Sequence, residues 1–109
     1  MRFVFLNALP LTALNIDTVA ILKIFKVNHE SLKKVVPLMS SKACFIRHPA
    51  TVKLLNKLYG LDLKPSNELY SFKDGDIIHV VVLKKPVRGE EVEKLTENDI
   101  DIYQVKVIK

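Results

Sequence analysis

The hydrophobic pattern along the chain alternates between short apolar runs and amphipathic stretches. Residues 2–7 (Arg-Phe-Val-Phe-Leu-Asn) read as a short buried strand. Residues 8–17 contain Pro10 and read as a loop with room for one helical turn. Residues 18–27 are β-branched and partly alternating, which predicts a second strand. Val19, Ile21, Lys23 and Phe25 would share one face, and Ala20, Leu22, Ile24 and Lys26 the other. Two mostly apolar faces predict a central position for this strand. Asn28 is placed to cap a helix over about residues 29–36, in which Leu32, Val35, Val36 and Met39 keep helical spacing until Pro37 ends or kinks it.

Residues 40–47 read as a connection, and the clearest helix follows. Pro49 suits a first helical position and Gly60 a C-terminal stop, which leaves His48 as N-cap. Thr51, Leu54, Leu55, Leu58 and Tyr59 form the apolar stripe, with Lys53 and Lys57 facing outward. After a loop over 61–67, the run Leu69–Phe72, the pair Asp74-Gly75 and the run Ile77–Leu83 carry a hairpin signal. The second run is apolar on both faces except for His79, so it is expected at the sheet centre. Residues 84–89 form a basic loop, 90–101 are acidic with a short helix expected near 96–99, and 102–108 alternate as a final strand. These elements predict one α/β domain over residues 1–109: a mixed sheet of about five strands flanked by two or three helices. Crossovers around 28–47 and 48–67 would place helices on the sheet.

Composition narrows the function classes. The chain has 109 residues, 49% of them hydrophobic and 27% charged, as in globular domains. Its net charge of +5 is unevenly distributed. Residues 1–60 hold nine Lys/Arg against two Asp/Glu, whereas 61–109 hold eight against ten. The split points to an anionic partner for the first half or to pairing between the halves. The single cysteine, Cys44, cannot form an internal disulfide or a Cys-based zinc site, and fits a reducing compartment. No apolar run approaches the roughly 20 residues of a membrane span. The stretch Arg2–Leu6 faintly resembles a signal peptide, but Asn7 and Pro10 interrupt it, and a buried strand explains it better.

Candidate chemistry gathers at two places. His48 follows Arg47 and opens a helix, where free N–H groups and the dipole attract phosphate. A histidine there is placed to protonate a leaving oxygen of a phosphodiester, or simply to cap the helix. Lys84, Lys85 and Arg88 follow the end of a central strand, where sheet ligands commonly bind. The alternative is a solvated strand end. His29 is expected at a helix start as a surface or capping residue, and His79 in the core. Phe3, Phe5, Phe25 and Phe72 are expected in the core, while Tyr59, Tyr70 and Tyr103 are open to base stacking. No His pair has metal-ligand spacing, and Gly60, Gly75 and Gly89 are too far apart for a phosphate-binding glycine loop.

Four stretches of the chain resemble the viral ring nucleases of archaeal viruses, a type III anti-CRISPR family. Val4–Leu9 is similar to the family's first strand with its Asn-Ala turn. Ile46–Leu55 is similar to its Gly-His-x-x-Thr helix, and Leu58–Gly60 to the Leu-x-Gly at the helix end. Asp76–Leu83 and Ile100–Ile108 resemble its apolar and closing strands. The resemblance implies an α/β homodimer in the host cytoplasm that binds cyclic tetra-adenylate in a cleft between subunits. It also implies cleavage of that ring without metal or cofactor, and no membrane partner. His48 matches the family's general acid, and Asn7, Thr12, Arg47, Lys84, Lys85 and Arg88 would position phosphates or sugars.

The chain departs from the family at named positions. Lys85 stands for an Arg and Arg88 for the site Glu of an Arg-x-x-Glu-Gly stretch, with Gly89 kept; Glu90 or Glu91 substitutes only if the loop shifts. Pro10 and Thr12 stand where Ser and Asn are usual, Ser66-Asn67 replaces Asn-Arg, and Arg47 replaces the Gly before the His. The alternative expectation is therefore a catalytically impaired viral protein on the same scaffold that binds a cyclic oligoadenylate, nucleic acid or a host protein.

Overall fold

The computed structural model describes residues 2–85 and 95–109. Five strands, β1 (Arg2–Leu6), β2 (Ile21–Lys26), β3 (Lys42–Cys44), β4 (Asp76–Leu83) and β5 (Ile100–Ile108), form one sheet in the order β2-β5-β4-β1-β3. β1 pairs in parallel with β3 and β4, while β5 pairs antiparallel with β4 and β2. Two helices, α1 (His29–Val35) and α2 (Pro49–Tyr59), complete the single α/β domain.

The sheet has two cores, one on each face. Phe5, Val81 and Ile102 meet Leu32 of α1 and Val52, Leu54, Leu55 and Tyr59 of α2 in the larger one. Val4, Leu6, Ile78 and Val105 meet Ala13, Leu14 and Tyr70 on the other face. Alternation along each strand divides its side chains between these cores. Asn28 caps α1 as its spacing predicts, its Oδ1 accepting from the Ser31 amide at 3.1 Å. A 3-10 turn over Val36–Leu38 then ends that helix at Pro37. α2 starts at Pro49 and ends at Gly60, whose φ of 67° is the left-handed conformation that stops a helix at low cost for glycine.

Three strand expectations need correction. β2 is an edge strand, not a central one, and five of its six residues are exposed. Its apolar residues are real, but the helices lie over β1, β4 and the adjoining half of β5, so Ile21 and Phe25 remain uncovered on that face, and Ile24 is exposed on the other. Phe25 is therefore not a core residue. The hairpin expected before β4 does not form. Gly75 makes the turn (φ 89°) and the Asp76 amide donates to the Lys73 carbonyl, yet residues 69–72 form no strand. Both edges of β4 are already taken by β1 and β5, so the chain passes across the sheet face, burying Tyr70, and the Phe72 amide donates to the Ala13 carbonyl. Third, the connection over 40–47 contains the short strand β3, added to the free edge of β1.

A buried polar cluster locks the N-terminal end of β1 and β4. Arg2 grips Asp76 with two bonds, Nε to Oδ1 at 2.9 Å and Nη2 to Oδ2 at 2.7 Å. Tyr70 donates to the same Oδ2 at 2.7 Å, and the Lys73 amide adds a fourth bond. Burial alone would raise the Asp76 pKa, but the bonds from Arg2, Tyr70 and Lys73 outweigh it and hold the carboxyl below its usual range.

Candidate functional site

β1, β3 and β4 are mutually parallel, so their C-terminal ends lie on one side of the sheet. Open α/β sheets commonly bind ligands in the crevice beyond such ends. Asn7 follows β1, Arg47 and His48 lie between β3 and α2, and Lys84 and Lys85 follow β4. Parallel pairing thus gathers residues that are distant in sequence onto one rim.

A cleft of about 320 Å³ opens at this rim. Asn7 and Arg47 line it, with Ser66 and Glu68 as further polar walls. Its apolar wall includes Phe45 and Tyr70, whose rings meet edge to face at 5.2 Å. The Arg2 guanidinium packs against both rings, 5.6 Å and 5.8 Å from their centroids. The Ser66 amide donates to the Ile46 carbonyl at 2.9 Å, which ties the second wall to the strand end.

His48 lies beside the cleft and not in its lining. It is exposed, takes the N-cap position of α2 with extended backbone (φ −78°, ψ 114°), and makes no side-chain cap bond. Its imidazole is free to meet a ligand, and the first-turn N–H groups of α2 after Pro49 have no partner within the helix. Thr12 is exposed on the 3-10 turn Leu11–Leu14, also outside the lining. Lys84 and Lys85 are exposed and already paired, with Asp101 at 3.3 Å and Asp99 at 3.1 Å. The Asp99 carboxyl titrates below its ordinary value, chiefly because it accepts the Thr96 amide in a capping box, with Lys85 adding to the effect. Arg88, Gly89, Glu90 and Glu91 lie outside the described residues.

Sequence reasoning missed two features of this site. Glu68 and Phe45 both line the cleft. Neither carried a signal, because the tight approach of residues 66–70 to residues 45–47 follows from tertiary packing alone. Tyr59 and Tyr70, open to base stacking in the sequence, are both buried. His79 is 2% exposed, stacked on Phe5 with centroids 5.0 Å apart, and burial pushes its pKa down to about 4. His29 is half-buried and bonded to the Tyr59 hydroxyl, which joins α1 to α2. Among the described residues no three His, Cys, Asp or Glu side chains converge as a metal site. Nor is any described helix long and apolar enough to cross a membrane.

No family model matches the chain, and no curated protein matches it. Among solved structures, the chain is similar to B116 of Sulfolobus turreted icosahedral virus, with a TM-score of 0.74 at 19% sequence identity. The match covers 95% of this chain and 97% of that one, so the two proteins share one fold over almost their whole length.

Proposed function

We propose that the protein is a viral ring nuclease of the type III anti-CRISPR kind, which binds cyclic tetra-adenylate and cleaves it without metal. The observation that carries this reading is a free histidine at a helix N-terminus beside a cleft walled by Asn7 and Arg47. The whole-length likeness to a viral protein supports the same scaffold. A ribose 2′-hydroxyl loses its proton to water as its oxygen attacks the adjacent phosphate, the bond to the 5′-oxygen breaks, and a 2′,3′-cyclic phosphate forms. The chain must hold that geometry in line and supply one proton to the leaving oxygen. His48 supplies the proton, Arg47 and the α2 amides hold phosphate, and Asn7 contacts the sugar. Lys84, Lys85 and Thr12 form the outer rim, and Arg88 is a further cation for phosphate.

The ring has two-fold symmetry, so a homodimer would present two copies of this rim to it. The apolar groove of Leu9, Leu22, Ile24, Val80, Tyr103 and Val105 on the open sheet face is the surface we assign to a second copy. Size-exclusion chromatography with light scattering reads this directly. A monomer that persists at high micromolar protein contradicts the dimer.

The test of cleavage is incubation of the protein with radiolabelled cyclic tetra-adenylate in EDTA. The ring is consumed by wild type and spared by His48→Ala. An intact ring that nonetheless binds tightly to wild type selects the second reading, a non-cleaving protein on this scaffold. That reading is favoured by Arg88 standing where the family has Glu and by the ion pairs that already occupy Lys84 and Lys85. Its partner is then a cyclic oligoadenylate, nucleic acid or a host protein. Binding of neither the ring nor an oligonucleotide leaves the host protein.

A further inference from the structure

The helix-side face of the β2–β5 ribbon carries two lysines directly opposite one another. Lys23 of β2 and Lys106 of β5 are register partners in the antiparallel pair. Opposed residues in such a pair sit about 5 Å apart at Cβ, and like charges there repel. Several other described cations near the sheet have acids: Arg2 has Asp76, Lys26 and Lys84 share Asp101, and Lys85 has Asp99, while the Lys42 ammonium of β3 donates to the Met39 carbonyl. Lys23 and Lys106 form no ion pair among the described residues. The fold therefore concentrates unneutralised charge at this pair.

An aromatic ring stands beside it. Phe25 shares the face of Lys23, is 49% exposed, and has the Lys106 ammonium 5.9 Å from its ring centroid. A phenylalanine on an uncovered strand face costs solubility and contributes no core. The two lysines and Phe25 line a concavity of about 430 Å³, which continues to Ile77 at the start of β4. Asp76 also borders it, but that carboxylate is held by Arg2, Tyr70 and the Lys73 amide. The concavity is far from the proposed cleavage site. Ile77 and Leu83 are six residues apart on β4, or about 20 Å along the strand.

We infer that the Lys23–Lys106 pair and Phe25 form a second binding site that takes one nucleotide unit of a single-stranded nucleic acid, its phosphate between the two ammonium groups and its base on the Phe25 ring. A phosphate relieves the repulsion of the two lysines, and a base covers the exposed ring. Both halves of a nucleotide are thus matched, which a bare anion or an apolar ligand does not achieve. The site is independent of ring cleavage.

The test is fluorescence anisotropy of the full chain with a labelled oligodeoxyadenylate of about a dozen nucleotides, beside an abasic strand of equal length. Wild type binds the adenylate strand more tightly than the abasic one. Lys23→Gln with Lys106→Gln weakens binding about tenfold or more, and the log–log salt slope drops by about 0.7, as expected for the one lost phosphate contact. Phe25→Ala weakens adenylate binding about fivefold or more and leaves abasic binding unchanged. Phe25→Leu keeps an apolar side chain without the ring and loses binding equally, which separates stacking from folding. His48→Ala binds like wild type, so failure of the cleavage reading leaves this one standing. Equal affinity for both strands, or lysine variants that bind as wild type does, would overturn the site. So would inorganic polyphosphate competing as well as the adenylate strand.

Discussion

The two ends of the parallel strands use charge in opposite ways. At the N-terminal end Arg2, Tyr70, Asp76 and the Lys73 amide satisfy one another in a partly buried cluster. At the C-terminal end Asn7, Arg47 and His48 are exposed, and His48 has no cap bond to spend its imidazole on. Buried charge needs partners to be tolerated at all, whereas exposed charge left without them is available to a ligand. The contrast separates residues that hold the fold from residues left open at the surface, and it makes different substitutions fail in different assays.

The largest expected effect on stability is at Asp76. Asp76→Ala leaves the guanidinium of Arg2 and the Tyr70 hydroxyl without their acceptor, and unfolding in urea should show a loss of about 3–5 kcal/mol. A loss under about 1 kcal/mol would break the claim that this end is structural. Next is the core shared by α2 and the sheet. Leu54 is fully buried, and Leu54→Ala should cost about 2–5 kcal/mol by the same measurement.

Acid titration sharpens the contrast further. His79 titrates near 6.5 in the unfolded chain and at about 4 in the folded one, because burial disfavours its cation. Between those values the unfolded chain binds more protons, so stability falls as pH drops from about 7 towards 4, by about 3 kcal/mol at most. His79→Phe should flatten stability across that window, as read by urea midpoints at pH 7, 5.5 and 4.5. Asp76 acts lower. Its folded value is depressed, so its contribution is present above the unfolded carboxylate value and disappears as pH falls through the folded one. The smallest expected stability effect is at the other end. His48→Ala removes no hydrogen bond from the fold and should shift the unfolding free energy by under about 0.5 kcal/mol, while slowing ring cleavage about 10²–10⁴-fold.

How much of this was legible in the sequence follows from range. α2 was readable almost to the residue, because Pro49, Gly60 and the spacing of Thr51, Leu54, Leu55 and Tyr59 are local signals. Central β4 and the burial of His79 were readable from a run apolar on both faces. The edge position of β2 was not, since an apolar strand looks central until it is known that no helix reaches it. The failed hairpin has a similar cause: Asp74-Gly75 makes its turn, but strand pairing depends on competitors, and β1 and β5 take both edges of β4. At the site, Arg47 and His48 were legible as candidates from the helix start they precede, and Asn7 only from the family resemblance. Glu68 was not, because a loop carboxylate carries no period or cap to mark it.

The central claim is that Arg47 and His48, at the C-terminal end, are left free for an anionic ligand. Thermal unfolding with and without cyclic tetra-adenylate tests it most directly. Ligand at about 100 times its Kd should stabilise wild type by about 2.7 kcal/mol. Arg47→Ala should unfold at the wild-type temperature without ligand and lose most of that stabilisation with it. An unchanged unfolding temperature of wild type at high micromolar ligand contradicts the account, as does an Arg47→Ala chain that is stabilised just as much.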